Sequence, residues 1–344
     1  MKADLKGFDA GETEAWAVSQ GLKPYQGRQI RRWLFKRLAG SFEEMTDILK
    51  PLRKELQEKV LVSLLENVET QVSGDGTKKY LFRLRDGHLI ESVLIPEEDH
   101  YTICISSQAG CAMGCLFCST ARQGLKRNLK SSEIVDQVIQ VRRSMDTPER
   151  LTNIVLMGMG EPLANYDAVV RAVGNLIGSD GMNFSSRKLT ISTCGLVPQI
   201  KRLGRDITVN LAVSLNASDD KTRSLLMPIN RTYPLARLIS ALKDFPLPNR
   251  RMLTFEYILI KGINDSAEDA RRLAGLLSGL RSKINLIPLN PFPGSDMSCP
   301  DMEDILRFQA ILIKNHFTVI IRKSRGSDIS AACGQLSGGY KISG

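Results

Sequence analysis

A chain of 344 residues that is 42% apolar and 24% charged has the balance of a folded globular protein with a full core. It exceeds the roughly 250 residues of a single α/β barrel, so a smaller module is expected beside a large one. The opening MKADLKGFDAGETEAWAVSQ has no apolar leader and no run of ~18 apolar residues occurs, which argues against export and membrane spanning and leads us to expect a cytoplasmic protein.

Residues 1–75 read as a helical module. In the run QGRQIRRWLFKRL, a helical period places Ile30, Trp33, Leu34 and Leu38 on one face, with Arg28, Arg31, Arg32, Lys36 and Arg37 largely outside it. That basic face is either solvated or an RNA contact. The net charge of +10 and pI near 9.3 suit a polyanionic partner, because Lys and Arg that neutralise phosphates release counterions; a merely solvated basic surface has the same charge.

Residues 76–100 read as a connecting hairpin, KKYLFRL and HLIESVLIPE being separated by Arg85, Asp86 and Gly87. Within LIESVLI, alternation puts Glu91 on the face of Val93 and Ile95, an unusual place for a carboxylate.

From residue 101 to 344, strand-like runs alternate with helical ones: YTICIS, NIVLMG, KLTIST, VNLAVSL, MLTFEYILI, KINLIPLN and FTVIIRK. In the helical segment SSEIVDQVIQVRR, Ser131 or Ser132 is the expected cap and Glu133 favours the positive end of the helix dipole. Repeated β-then-α units imply a parallel sheet covered by helices. Six or so units predict a partial or complete (β/α)6 TIM-like barrel; a doubly wound open sheet meets the same periodicity. Either way the chemistry belongs at the carboxyl ends of the strands.

Seven cysteines, an odd number in a reducing compartment, point to metal or redox chemistry rather than a disulfide framework. Cys111, Cys115 and Cys118 lie together in GCAMGCLFCST, just after the strand-like TICIS. Three thiolates on one loop suit a soft metal centre, and a cubane held by three cysteines keeps one iron open. A tetrahedral zinc with a fourth ligand from elsewhere is the alternative, poorly served by three histidines.

With Phe117 before its last cysteine, this loop resembles the signature of radical S-adenosylmethionine (radical SAM) enzymes, in which the open iron chelates S-adenosylmethionine and its reductive cleavage gives a 5'-deoxyadenosyl radical. Taken with GMGEP, ISTCGLVP, SLNA, MPIN, LNPFPG and RGSDISAACGQL, nearly the whole chain through Leu336 resembles the RNA (adenine-C2) methyltransferase family, RlmN. The resemblance implies a radical SAM barrel, one [4Fe-4S] cluster on Cys111, Cys115 and Cys118, and two S-adenosylmethionines per turnover. It implies that Gly160, Glu161, Ser192, Ser214, Leu215, Asn216 and Asn290 line the S-adenosylmethionine pocket. It makes Cys333 the carrier of the methyl group, Glu91 the base that takes the adenine C2 proton, and Cys104 the thiol that forms a disulfide with Cys333 on release. Cys194 and Cys299 are left as structural. The substrates implied are an adenosine near the peptidyl transferase centre of 23S rRNA and one beside the tRNA anticodon, with flavodoxin or ferredoxin as electron donor and a monomeric enzyme. A C8-adenine methyltransferase of the related resistance class, a non-catalytic iron–sulfur RNA-binding protein, and a radical SAM enzyme acting on peptides or small molecules are the other readings.

Overall fold

A computed structural model describes residues 2–292 and 294–338. Pro293 of LNPFPG and the last six positions of the 101–344 unit lie outside the described residues. The elements in chain order are helices α1 (Ala10–Ser19), α2 (Pro24–Phe35) and α3 (Lys50–Lys59), then strands β1 (Glu66–Val72), β2 (Lys78–Arg83), β3 (Leu89–Pro96), β4 (Tyr101–Cys104) and β5 (Gln108–Gly110). There follow α4 (Ser119–Arg122), β6 (Leu125–Asn128), α5 (Ser131–Arg143), β7 (Leu151–Leu156), α6 (Tyr166–Ile177), β8 (Leu189–Thr193), α7 (Val197–Asp206) and β9 (Asn210–Ser214). The last are α8 (Asp220–Leu226), α9 (Leu235–Lys243), β10 (Leu253–Leu259), α10 (Ala267–Leu277), β11 (Ser282–Pro288), α11 (Met302–Lys314) and β12 (Thr318–Ile321).

One sheet runs in the order β1-β2-β3-β4-β7-β8-β9-β10-β11-β12. Its first four strands are antiparallel neighbours and β4 onward are parallel. The parallel order never reverses, so every crossover winds the same way and the switch point of a doubly wound sheet does not arise. The parallel strands and their covering helices form a partial α/β barrel. The sheet ends at β12 without meeting β1, so it stays open among the described residues. Six expected strands, from KLTIST through FTVIIRK with TICIS, fall where alternation placed them, and NIVLM lies in β7.

Three local readings are corrected. Residues 66–72 form strand β1, not part of a helical module; their polar, exposed side chains carry little period-2 signal, and pairing with β2 decides the conformation. The cap of α5 is Lys130, whose N–H donates to the Glu133 carboxylate at 2.8 Å, while Ser131 donates to Gly7 O. Arg31 is buried, not part of the basic face: its guanidinium donates to Asp180, Asn175 and the carbonyl of Phe8.

Arg31 therefore fastens α2 to the barrel beside α6. A second anchor joins the N-terminal segment to α5, where Lys6 and Asp136, both fully buried, pair at 2.5 Å. Lys6 also donates to Ser63 O at 2.5 Å, and Asp136 accepts from Leu65 N at 2.5 Å and from Gln140 at 3.4 Å. Ile30, Leu34 and Phe35 of α2 join the same apolar core as the barrel strands, so burial supports the charged anchors. No helix among the described residues is long and apolar enough to cross a membrane.

Candidate active site

The carboxyl ends of the parallel strands enclose a cavity of about 540 Å3. The cluster loop enters it from β4. Strands β5 and β6 form a short antiparallel ribbon that folds the loop back on itself, with Cys111 N donating to Gly124 O at 3.1 Å. Gly110 has φ +75°, and a Cβ there would lie 2.0 Å from Gly124 O, so only glycine fits the bend. Farther along, Leu116 N donates to Leu226 O at 3.0 Å, tying the loop to α8. Cys111, Cys115 and Cys118 all face the cavity as free thiols. Burial raises all three pKa values, Cys111 to about 12, and the charges of Cys118 and Cys111 add to the rise at Cys115. Such thiols stay protonated until a metal replaces the proton.

Among the described residues no group of three or more His, Cys, Asp or Glu side chains converges as one metal ion requires. A cubane asks for less convergence, because each thiolate binds a different iron. Three soft donors from one loop, facing one cavity beyond which no fourth cysteine of that loop stands, fit such a cluster.

The GMGEP turn follows β7. A Cβ at Gly158 would meet Ile105 O at 2.8 Å, and one at Gly160, with φ +99°, would meet the Gln108 side chain at 2.5 Å. These glycines admit the protein's own chain between β4 and the start of β5. Glu161, 4% exposed, lines the cavity, but its oxygens already accept from Leu163 N at 2.9 Å and Cys194 N at 2.8 Å. Burial raises its pKa, against the pull of those amides. Its carboxylate thus joins the turn to the end of β8, where the Cys194 and Thr193 side chains also hydrogen-bond to it.

Ser192, Ser214, Asn216, Asn290 and Gly160 all line the cavity. Leu215 does not: its side chain is fully buried in the core, one residue out of phase with its cavity-facing neighbours. Asn216 adopts φ +57°, which asparagine tolerates better than most residues, and its amide accepts from Ile258 N at 2.8 Å and donates to Met227 S at 3.3 Å. Asn290 steadies the segment after β12, donating to Cys333 O at 3.2 Å and accepting from Ser324 at 2.5 Å.

Cys333 faces this cavity from a turn and stays open to solvent at the mouth, although protein surrounds its thiol. The turn is bound directly to the cluster loop. Ser119 N donates to Gly334 O at 2.7 Å, Thr120 to Leu336 O at 2.7 Å, and Gln123 to Ser337 O at 2.8 Å. Gly334 has φ +84°, and a Cβ there would lie 2.8 Å from Phe117 O. Cys104, at the end of β4, also faces the cavity as a buried free thiol; burial, then the neighbouring Cys333, pushes its pKa up to about 12. Burial raises that of Cys333 too, with Glu256 adding and Arg322 opposing.

Glu91 shares the face of Val93, which is paired with Cys104, yet it is not among the cavity-lining residues. Its carboxylate is covered by the segment after Cys333, accepting from Ser337 N at 2.7 Å and Gly338 N at 2.8 Å, with Lys79 Nζ at 3.3 Å. Cys299 lies away from the cavity, whereas Cys194, read as structural, lines it. Glu256 was also missed: it is 7% exposed, accepts from Asn285 at 2.9 Å, and sits beside Ser214 and Asn285 on neighbouring strands. A carboxylate in the apolar run LTFEYIL was the signal that could have found it.

Comparisons with known proteins agree with this geometry. A model of the radical SAM superfamily matches residues 105–274, and one of the ribosomal RNA large subunit methyltransferase N-terminal domain matches residues 3–62. A dual-specificity RNA methyltransferase RlmN of Geobacter sulfurreducens is 55% identical over 97% of this chain and 92% of its own. The protein of that name from Geotalea uraniireducens is 52% identical over 98% and 97%. A crystal structure of a radical SAM methyltransferase from Sphaerobacter thermophilus superposes with a TM-score of 0.94 at 45% identity, covering 98% of this chain and 99% of that one. Near-complete coverage at such identity, on both modules at once, shows that the chain belongs to the RlmN family of the radical SAM superfamily.

Proposed function

We propose that the protein methylates C2 of adenine in 23S rRNA and in tRNA through a methyl group carried on Cys333. The observation that carries this reading is the turn bearing Cys333, hydrogen-bonded to the cluster loop and facing the same cavity as Cys111, Cys115 and Cys118. Those three thiolates would hold one [4Fe-4S] cluster, with Gly160, Glu161, Ser192, Ser214, Asn216 and Asn290 around S-adenosylmethionine and the backbone of Leu215 behind them. When bound, the cluster supplies the electron that cleaves S-adenosylmethionine to a carbon radical, chemistry no side chain offers.

The residues of the chain do the rest. Cys333 loses its thiol proton and takes a methyl group from a first S-adenosylmethionine, and the methyl loses a hydrogen atom to the radical from a second. The resulting carbon bonds to adenine C2, which has no lone pair to attack an ordinary methyl donor. Once the adduct has returned one electron to the centre that supplied it, Glu91 would accept the C2 proton; the Cys104 thiolate would then attack the Cys333 sulfur, forming a disulfide and breaking the sulfur–carbon bond, and the freed carbon would take a proton to become the methyl of the product. Both acts need movement: Glu91 is uncovered when Ser337 and Gly338 leave it, and Cys104 starts as a buried thiol. The unpaired adenine has to be splayed into the cavity, which favours loops over duplex. Arg322 and Lys323, exposed at the cavity mouth, with Arg28 and Arg32 on α2 and Lys36 and Arg37 just after it, supply cations for the RNA backbone. Residues 1–75 would be the RNA-contacting module, residues 76–100 its connection, and the remainder the monomeric catalytic unit, reduced by a flavodoxin or ferredoxin in the cytoplasm.

The test is Cys333→Ala, with methylated nucleosides located by mass spectrometry and iron and sulfide measured on the same sample. Loss of 2-methyladenosine with an unchanged cluster supports the scheme. Full activity, or a methyl group on C8, overturns it.

A further inference from the structure

Arg223 of α8 is fully buried, and its guanidinium makes no ion pair among the described residues. Its donors go to neutral oxygens: Nε to Leu215 O at 3.1 Å, one terminal nitrogen to Asn230 Oδ1 at 2.9 Å, and the other to Cys194 O at 2.7 Å and Ser214 O at 3.2 Å. Taking a guanidinium out of water is costly, and neutral carbonyls offset less of that cost than an opposite charge does. Arginine does not escape by losing its proton. Nearby Asp220 is already engaged, accepting from Asn230 at 2.9 Å and Leu235 N at 2.8 Å.

The helix that carries this cation is bonded to the cluster loop. Helix α8 is joined to that loop through Leu116 N and Leu226 O, and Cys194, whose carbonyl Arg223 holds, lines the cavity with Cys111, Cys115 and Cys118. Gly195, with φ +111°, leaves the room; a Cβ there would stand 3.3 Å from the guanidinium. Were they ionised, Cys194 and Cys115 would act on Arg223 more strongly than Asp220 does. An apo protein gives this arginine no anion, whereas three thiolates around an iron–sulfur centre do.

We infer that Arg223 is the buried counter-charge of the iron–sulfur centre on Cys111, Cys115 and Cys118, raising its reduction potential by stabilising the more negative, reduced form. The inference rests on the proposed reading that this trio holds a cluster. Reduction adds one negative charge, and a fixed cation in a water-poor site favours it more than solvent would. Arg223 is a positioning residue for charge, since it touches neither substrate nor iron ligand in the hydrogen bonds described.

The experiment is an EPR-monitored redox titration of the anaerobically reconstituted full chain without RNA. Arg223→Gln removes the charge, Arg223→Lys keeps it, and Asn230→Asp keeps the arginine with its carbonyl contacts but sets a carboxylate against it. With wild-type iron and sulfide content, Arg223→Gln and Asn230→Asp are expected to shift the reduced-to-oxidised ratio at fixed poise at least tenfold downward, about 59 mV for one electron. Arg223→Lys is expected to stay near the wild-type potential. An unchanged potential in Asn230→Asp overturns the inference even if Arg223→Gln fails to fold, and so does a Lys variant that shifts as far as Gln. Wild-type protein that takes up no iron and sulfide through the trio sinks the underlying reading instead, a separate result.

Discussion

Replacing Lys6 by Met isolates the anchor between the N-terminal segment and α5. Lys6 and Asp136 are both 0% exposed, so solvent screens neither. Removing one partner of a buried pair costs about 3–5 kcal/mol because the other charge stays behind. Asp136 keeps the donors Leu65 N and Gln140, which favours the lower half of that range, while Ser63 O loses a donor worth about 1 kcal/mol. A loss of about 4 kcal/mol is therefore expected at neutral pH. At ~2.1 cal/mol/K of unfolding entropy per residue, a chain of this length melting as one unit loses about 5–6 °C. The pH dependence gives a sharper check. Burial raises the Asp136 pKa and Lys6 is the main force opposing it, so the variant raises it further. The folded variant then binds a proton more tightly than the unfolded chain, its relative stability is greatest in acid, and it falls as pH rises through the folded pKa. The difference in Tm from wild type, followed by circular dichroism, should shrink on going from about pH 8 to about pH 5, and Lys6→Met/Asp136→Leu should recover much of it at pH 8. A deficit that is constant with pH, or absent, refutes the reasoning.

Gly334→Ala should lower methyl transfer at least tenfold with iron and sulfide retained, since a φ of +84° costs a β-carbon about 1–2 kcal/mol and contact with Phe117 O displaces the turn; wild-type turnover would count against the role of that turn. Glu91→Gln should accumulate a covalent protein–RNA adduct, seen as a slow band on denaturing gels that thiol reagents do not dissolve, and rapid turnover without adduct would exclude Glu91 as the base. Cys104, with its pKa near 12, should resist iodoacetamide in native protein from about pH 7 to pH 9 and react once urea unfolds the chain, so a native titration near the ordinary 8.5 would contradict its burial.

The sequence was most informative where a pattern is local. The Cys111–Cys118 spacing, the alternation in β3, and the runs behind β8 through β12 each depend on neighbours a few residues away, and each lies where that logic put it. It was least informative where a partner is distant. Nothing near Arg31 announces Asp180 and Asn175, so a helical wheel assigned it to the solvated face. Nothing near Glu91 announces Ser337 and Gly338, so alternation placed it on the face of Val93 and Ile95 without showing what covers it. Leu215 was read with the polar residues around it, although the chain leaving β9 sends this apolar side chain into the core while Ser214 and Asn216 face the cavity. Strand β1 has no burial pattern of its own and owes its form to β2.

The bonds from Ser119, Thr120 and Gln123 to Gly334, Leu336 and Ser337 make the cysteine loop and the turn of Cys333 one mechanical unit. Order in one segment is thermodynamically linked to order in the other, and the linkage is reciprocal. On the proposed reading, a molecule whose cysteine loop is loosened by loss of its metal would loosen the turn of Cys333 as well, and so would not commit a methyl group to a thiol that cannot pass it on.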